Sequence, residues 1–276
     1  MSLSSWQSPD NKILKTVVSE GVQKCKPTEG SKCKLRITNS TSLESLDHFS
    51  NLVIGDVDGD LGRQLEICVT NMFEKEKSNF VVTTDNYVVT LTLELLEMEF
   101  AGFLYEWDAR KKYSYAEFQN QRGKNHFKNG NLKEAGFRFN KGLKIICSIP
   151  IDVQDPPETI DTVSIKEIDQ LKATLYNNLA ACFFQKEEWP MVISFCDRVF
   201  LYDENNVKAS YRAAVSYIKD LNFEKADNYL KKVLEKEPTN KSALEHHKFV
   251  KIKLREAKEK SDNISKKMIR DILKND

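Results

Sequence analysis

Lys208 and Arg212 are the side chains whose type and spacing most clearly suit a binding task. They are four residues apart in a segment with helical periodicity, so both side chains lie on one face of the helix. Two cations held side by side can bind a carboxylate through charge-assisted hydrogen bonds. The competing interpretation is an ordinary solvated helix face that has no ligand.

The cysteine and histidine residues do not have the spacing of a metal site or a catalytic set. The six cysteines lie far apart and lack the CxxC or Cys/His spacing of a zinc site, so we expect reduced, mostly buried thiols. Two of the four histidines, His246 and His247, are adjacent in a Lys-rich stretch, which favours a solvated face. We therefore predict no catalytic residues, no metal and no cofactor.

Asp56, Asp58 and Asp60 resemble the start of a calcium-binding loop. An EF-hand loop needs Gly at position 6 and a bidentate Glu at position 12, but an EF-hand loop starting at Asp56 has Leu61 and Ile67 there. The sequence therefore favours a solvated acidic turn.

Composition is that of a folded globular chain, with 276 residues, 40% hydrophobic and 30% charged. The 42 Lys and Arg residues nearly balance the 41 Asp and Glu residues, which argues against nucleic acid as a partner. No stretch approaches the roughly 20 apolar residues of a membrane helix, and the first residues lack the apolar run of a signal peptide. We expect a cytoplasmic or nuclear protein without a membrane partner.

Hydrophobic periodicity and charge change together along the chain. Apolar residues alternate or form short runs in residues 13–93, which predicts strands, and helical spacing begins after Phe100. Residues 1–110 carry 17 acidic and 11 basic side chains, whereas residues 241–276 carry 6 acidic and 11 basic. The helical spacing predicts helices at 114–147, 165–202, 206–236 and 240–272. A polar, Pro-rich loop, DVQDPP, separates the first two at 152–157.

The helical half contains a repeat with a period of 34 residues, which is the period of the tetratricopeptide (TPR) repeat. The small and large apolar residues of one unit recur 34 residues later in the next unit. Ala180, Phe183, Trp189 and Val192 correspond in this order to Ala214, Tyr217, Phe223 and Ala226. An earlier unit has Gly123, Leu132, Ala135 and Phe139 at equivalent places, with Phe127 one residue late. Three repeats are expected at about 115–148, 172–205 and 206–239, with extra residues inserted after the first.

A family resemblance follows from these residues. The strand-rich segment ends in LELLEMEF at 93–100, continues into Tyr105-Glu106-Trp107 and then enters the TPR helices. This order resembles the large immunophilins of the FK506-binding protein (FKBP) family. The resemblance implies an α+β, two-domain fold in which a degenerate FKBP-like antiparallel β-sheet domain precedes an all-α TPR superhelix. We place the sheet domain at 1–102, the TPR domain at 103–240 and a basic C-terminal capping helix at 241–276.

The resemblance also implies an aromatic-lined basin that lowers the barrier to X-Pro isomerisation. The family places a Trp in the floor of this basin, close to Val53-Ile54-Gly55, but residues 55–66 contain no aromatic side chain. The family's Gly/Pro/Tyr-rich loop is reduced to TTDN at 83–86. We therefore predict an inactive isomerase homologue that binds a client protein. The alternative is an active peptidyl-prolyl isomerase with an atypical basin.

The TPR helices carry a second family pattern. Lys208 and Arg212, with Asn178 on the first helix of the preceding repeat, resemble the carboxylate clamp of TPR co-chaperones. That clamp holds the C-terminal Glu-Glu-Val-Asp of the 90-kDa or 70-kDa heat-shock protein. In the first repeat the two usual residue types are exchanged, with Asn120 in place of Lys and Lys124 in place of Asn. These five residues are the predicted peptide-binding set, and a partner other than a chaperone is the alternative.

The basic C-terminal helix is amphipathic and has a second interpretation besides capping the last repeat. Related co-chaperones use a basic and apolar end segment to strengthen chaperone binding, so the segment SKKMIRDIL at 265–273 is a candidate for this role. Calmodulin or an acidic membrane surface is the alternative ligand of such a helix.

Overall fold

The chain divides into two compact units, Met1–Trp107 and Asp108–Asp276. The computed structural model describes residues 4–42, 45–152 and 154–272, with side chains up to residue 266. The division falls five residues after the boundary expected from the sequence. Trp107 is 6% exposed and its Nε1 donates a hydrogen bond to the carbonyl oxygen of Ala101 at 3.0 Å. Its indole also fills the space beside Gly30, where an added Cβ would lie 3.1 Å from the ring.

The first unit is a six-stranded antiparallel sheet with strand order β1-β2-β5-β6-β3-β4. The strands are β1 Ser5–Gln7, β2 Ile13–Ser19, β3 Lys32–Thr38, β4 Asn51–Val53, β5 Lys77–Thr83 and β6 Val88–Glu99. Alternate side chains of the long strands point into one core, as the period of two requires. The predicted β-sheet domain is therefore confirmed.

A helix missing from the prediction covers the inner face of the sheet. α1, Asp60–Thr70, contacts β2 and β5 and buries Leu61, Leu65 and Val69. The strand-like pattern of residues 13–93 hid this helix, although its apolar residues recur four apart. An apolar sheet face needs a covering layer, and α1 supplies it.

The outer face of the sheet carries opposite charges in register on β3 and β6. The three cross-strand ion pairs are Lys32 with Glu99, Lys34 with Glu97 and Arg36 with Glu94. Because most of these side chains are exposed, each pair adds little stability, but together they keep this face polar.

A buried ion pair lies on the inner side of the same sheet. Lys15 Nζ and Glu76 Oε1 are 2.6 Å apart, and their side chains are 7% and 3% exposed. Lys15 also donates to the carbonyl oxygen of Asn71, while Glu76 accepts from the Ser78 hydroxyl and the Phe73 amide. Both charges are thus hydrogen-bonded on several sides, which offsets their desolvation.

Replacing Glu76 with Ala is expected to lower the free energy of unfolding of the first unit by about 3–5 kcal/mol, because the Lys15 ammonium stays buried without its partner. The double change Lys15→Met with Glu76→Leu is expected to recover most of this loss. Urea unfolding, with amide hydrogen exchange of β2 and β5 to identify the transition, measures both effects. Glu99→Ala, which breaks the exposed pair with Lys32, is the control and should cost less than about 1 kcal/mol. An equal loss for Glu76→Ala and Glu99→Ala would contradict this role.

The second unit is built from three pairs of antiparallel helices and one further helix. The helices are α2 Ala109–Lys128, α3 Leu132–Cys147, α4 Ile165–Gln185, α5 Trp189–Phe200, α6 Val207–Lys219, α7 Phe223–Lys236 and α8 Lys241–Ile272. Each pair overlaps one of the repeats inferred from the 34-residue period. The predicted all-α TPR domain is therefore confirmed.

Small residues at the predicted repeat positions let the paired helices approach closely. A Cβ added to Gly123 would lie 2.5 Å from the ring of Phe139 on α3, so only Gly fits there. Ala180 and Ala214 hold the equivalent place in the next two repeats, and both are fully buried. Close contact at these positions fixes how each helix pair packs.

The segment inserted between the first two repeats folds back onto α2. It contains a short hairpin of β7 Thr159–Ile160 and β8 Val163–Ser164. Asp161 in the hairpin turn accepts a hydrogen bond from the backbone amide of Ala109 at 2.8 Å. The insertion therefore helps to cap the N-terminus of α2.

α8 packs on the last repeat through its first half. Ala243 and Val250 are fully buried, and His247 Nε2 lies 3.0 Å from Asp227 Oδ1 on α7. From Arg255 to Lys266 the side chains are exposed, and the segment 265–273 that was a candidate for chaperone binding lies mostly outside the described side chains. None of the helices in the described residues is long and apolar enough to cross a membrane.

Candidate peptide-binding groove

The first helices of the three repeats line a cavity of about 1020 Å³, which we call the polar cavity. The inner face of α4 forms one wall, while α2, α6 and the turn before α6 complete it. Its polar lining includes Lys124, Lys166, Asn177, Asn178, Asp203 and Lys208. A cavity of this size and polarity can take an extended peptide end.

A second cavity of about 440 Å³, the aromatic cavity, adjoins the polar one. Phe127, Phe184 and Tyr211 supply its rings, and Arg212 also lines it. Three residues line both cavities, namely Val207, Lys208 and Glu237. The two cavities therefore meet at the start of α6.

Three of the five predicted residues come together in the polar cavity, from three different helices. Lys124 on α2 and Lys208 on α6 are exposed, and Asn178 on α4 lies half-buried between the repeats. Within the described part of the chain, neither lysine forms an ion pair. Their ammonium groups are thus available to an anionic ligand.

Asn120 has a different place from the one predicted. It is 1% exposed, and its Oδ1 accepts a hydrogen bond from Asn178 Nδ2 at 2.9 Å. Buried between α2 and α4, Asn120 orients Asn178, whereas Lys124 one turn later is exposed. The spacing placed Asn120 and Lys124 on one face, but only packing decides which of them reaches solvent.

Arg212 lines the aromatic cavity and not the polar one. Its Nη1 donates to Asn177 Oδ1 at 2.5 Å, and burial lowers the pKa of the guanidinium below its usual value. No carboxylate pairs with Arg212 among the described residues. Arg212 is half-buried, and a partly desolvated cation without a counter-ion favours an anionic ligand nearby.

Sequence reasoning missed Asn177. This residue immediately precedes Asn178, but it contacts Arg212 on the next repeat, whereas Asn178 contacts Asn120 on the previous one. In the sequence, Asn177 could have been recognised because two adjacent amide side chains, Asn177 and Asn178, occur in a helix that is otherwise rich in apolar residues.

Asn177→Leu is expected to lower the free energy of unfolding of the second unit by about 1–3 kcal/mol, because the half-buried guanidinium of Arg212 loses its hydrogen-bond acceptor. Urea unfolding followed by far-ultraviolet circular dichroism measures the change. Gln170→Ala, an exposed position on the same face of α4, is the control and should change stability by less than about 0.5 kcal/mol. Equal stability of the two variants would show that the bond to Asn177 contributes nothing.

The first unit has its own cavity of about 400 Å³, the sheet cavity, beside the segment where the resemblance placed the basin. His48 and Phe49 are its ring-bearing residues, and their ring centroids are 3.9 Å apart. Asp56 and Asp58 also line it, so charged groups border the apolar side chains. No Trp is among the described residues that line it.

Comparison with known proteins bears on each unit. Residues 6–100 match the family described as BDBT FKBP-like N-terminal. The mouse protein FK506-binding protein-like is 26% identical over 244 residues, which cover 87% of this chain and 66% of the mouse protein. FK506-binding protein 59 of Drosophila melanogaster is 24% identical over 97% of this chain and 62% of its own length. The chain thus spans slightly less than two thirds of the length of these relatives.

Two solved structures share the folds of the two units. The crystal structure of residues 1–211 of CG17282 has a TM-score of 0.58 at 18% identity, covering 69% of this chain and 98% of that one. The C-terminal TPR-containing domain of a Plasmodium falciparum protein described as FK506-binding has a TM-score of 0.50 at 24% identity, covering 56% of this chain and 99% of that one. Residues 6–100 thus match the FKBP-like N-terminal family model, and the chain, with its FKBP-like unit followed by a TPR domain, is similar to FK506-binding protein-like over most of its length.

Proposed function

We propose that this protein is a non-catalytic co-chaperone or scaffold whose TPR groove binds the free C-terminal end of a partner protein. The first candidate for that end is the Glu-Glu-Val-Asp tail of the 90-kDa heat-shock protein, with the 70-kDa protein as the second. The FKBP-like unit would contact a client protein.

One observation carries this proposal. Lys124, Asn178 and Lys208 come from three successive repeats and line the same cavity. Two ammonium groups and an amide are the donors that a terminal carboxylate needs, and each charge-assisted hydrogen bond contributes about 1.5–3 kcal/mol. Arg212 adds a half-buried positive charge in the adjoining cavity. A short tail could therefore bind with little apolar burial.

Lys208→Ala is expected to weaken binding of a peptide ending in Met-Glu-Glu-Val-Asp by about tenfold to a hundredfold, because one charge-assisted contact is lost. Amidation of the peptide's C-terminus should weaken binding to the unchanged protein by a similar factor. Isothermal titration calorimetry measures both. Lys236→Ala, which removes an exposed charge on α7 outside both cavities, should leave binding unchanged.

Equal affinity for the free and the amidated peptide would contradict a carboxylate site in this groove. Arg212 is left intact in this test because its hydrogen bond to Asn177 links two repeats, so its replacement would also change stability. Circular dichroism of each variant confirms that the helices remain folded.

The chemistry of the sheet cavity supports the non-catalytic part of the proposal. Isomerisation of X-Pro is accelerated by desolvating the amide, since the twisted amide is less polar than the planar one. Asp56 and Asp58 border this cavity, which favours water at the place where an apolar floor would be needed.

The first unit is expected to leave the cis-trans isomerisation rate of a short Pro-containing peptide at its uncatalysed value. A protease-coupled or NMR exchange assay with the full chain measures this rate. The alternative of an active isomerase would be established by a saturable acceleration with a specific response to two variants. Val53→Lys, in the sheet cavity, would abolish the acceleration, whereas Val88→Lys, on the exposed part of β6, would leave it intact.

A further inference from the structure

The groove is not uniformly basic, although a tail with several carboxylates would favour a uniformly basic surface. Acidic and basic residues both line the polar cavity. Its charged residues are Lys124, Lys166, Lys208, Asp169, Asp203 and Glu237. Only one of these carboxylates, that of Asp169, forms an ion pair within the described residues, with Lys172 at 3.3 Å. The other two remain available to a positive charge on a ligand.

Glu237 has the most informative position of these acidic residues. It lines both the polar and the aromatic cavity, as does Lys208. A peptide whose terminal carboxylate lies among Lys124, Asn178 and Lys208 must pass Glu237 if it continues into the aromatic cavity. Lys208 and Glu237 line the same two cavities, so the residues that pass Glu237 are those close to the end of the peptide.

The carboxylate of Glu237 is held in place by the turn between α7 and α8. Its Oε2 accepts from Asn240 Nδ2 at 2.8 Å, and Asn240 Oδ1 accepts from the backbone amide of Ala243 at 3.1 Å. Asn240 is therefore fixed at the start of α8 and in turn orients Glu237. An exposed but oriented carboxylate loses little conformational entropy when it binds a cation.

We propose that Glu237 is a specificity residue of this groove, and that it selects partners with Lys or Arg a few residues before the free C-terminal carboxylate. This inference rests on the proposed function of the groove. Lys208 attracts the terminal carboxylate while Glu237 attracts the upstream cation and repels an acidic side chain at the same place. A binding site discriminates between similar ligands when it attracts a group of one ligand and repels the corresponding group of the other.

The test compares three acetylated peptides that end in Met-Glu-Glu-Val-Asp, Met-Lys-Glu-Val-Asp and Met-Glu-Lys-Val-Asp. Calorimetric titration of the full chain should show that Lys at one of the two positions strengthens binding about three- to tenfold. Glu237→Gln should remove this gain, because Gln keeps the side-chain oxygen that accepts from Asn240 but has no charge. The same variant should bind the all-acidic peptide more tightly than the unchanged protein does.

The matched control is Glu235→Gln, at an exposed position of α7 that lines neither cavity. It removes the same charge from the protein, so it should leave the ratio of the peptide affinities as it is. A high-salt titration should reduce the preference for Lys as well, since exposed charges are screened.

Two failures are distinguishable. If the peptides bind through their free carboxylate but Glu237→Gln leaves the affinity ratios unchanged, Glu237 does not determine which peptide is preferred, and the proposed function of the groove stands. If none of the three peptides binds, or if amidated versions bind equally well, the carboxylate site itself is wrong and this inference falls with it.

Discussion

Close approach of paired helices at small residues is the constraint on which the second unit depends. At Gly123 the helices are so near that no larger side chain fits against Phe139, and Ala180 and Ala214 hold the equivalent positions in the next repeats. Because this contact recurs every repeat, the first helices α2, α4 and α6 stand side by side and together form the cavity walls. The groove is therefore a consequence of how the core packs.

Polar contacts between neighbouring repeats then determine what the groove presents to solvent. Asn178 bonds to Asn120 on one side and Asn177 bonds to Arg212 on the other, so adjacent amides of α4 link all three first helices. Asn120 is buried and orients Asn178, whereas Asn177 and Arg212 are both half-buried. Lys124 and Lys208 project from this fixed frame as exposed cations. The same frame leaves Glu237 at the junction of the two cavities.

In the first unit the core and the surface cavity are built from different residues. Its antiparallel sheet and covering helix are held by an apolar core and by the buried pair of Lys15 and Glu76. The sheet cavity has His48 and Phe49 as its rings and two aspartates at its border. Stability of a fold and chemistry of a site depend on different residues, so one can persist while the other changes.

The sequence by itself determined the two-domain organisation, the three repeats and the residue types of the groove, because hydrophobic periodicity and a fixed period of 34 residues are local properties of the chain. It did not reveal α1, since a single short helix among strands is outweighed by the alternation around it. Only the tertiary structure decided that Asn120 is buried while Lys124 is exposed, and that Arg212 faces the aromatic cavity. The physical reason is that helical spacing assigns residues to a face, whereas solvent access and hydrogen-bond partners depend on the neighbouring helices that pack against that face.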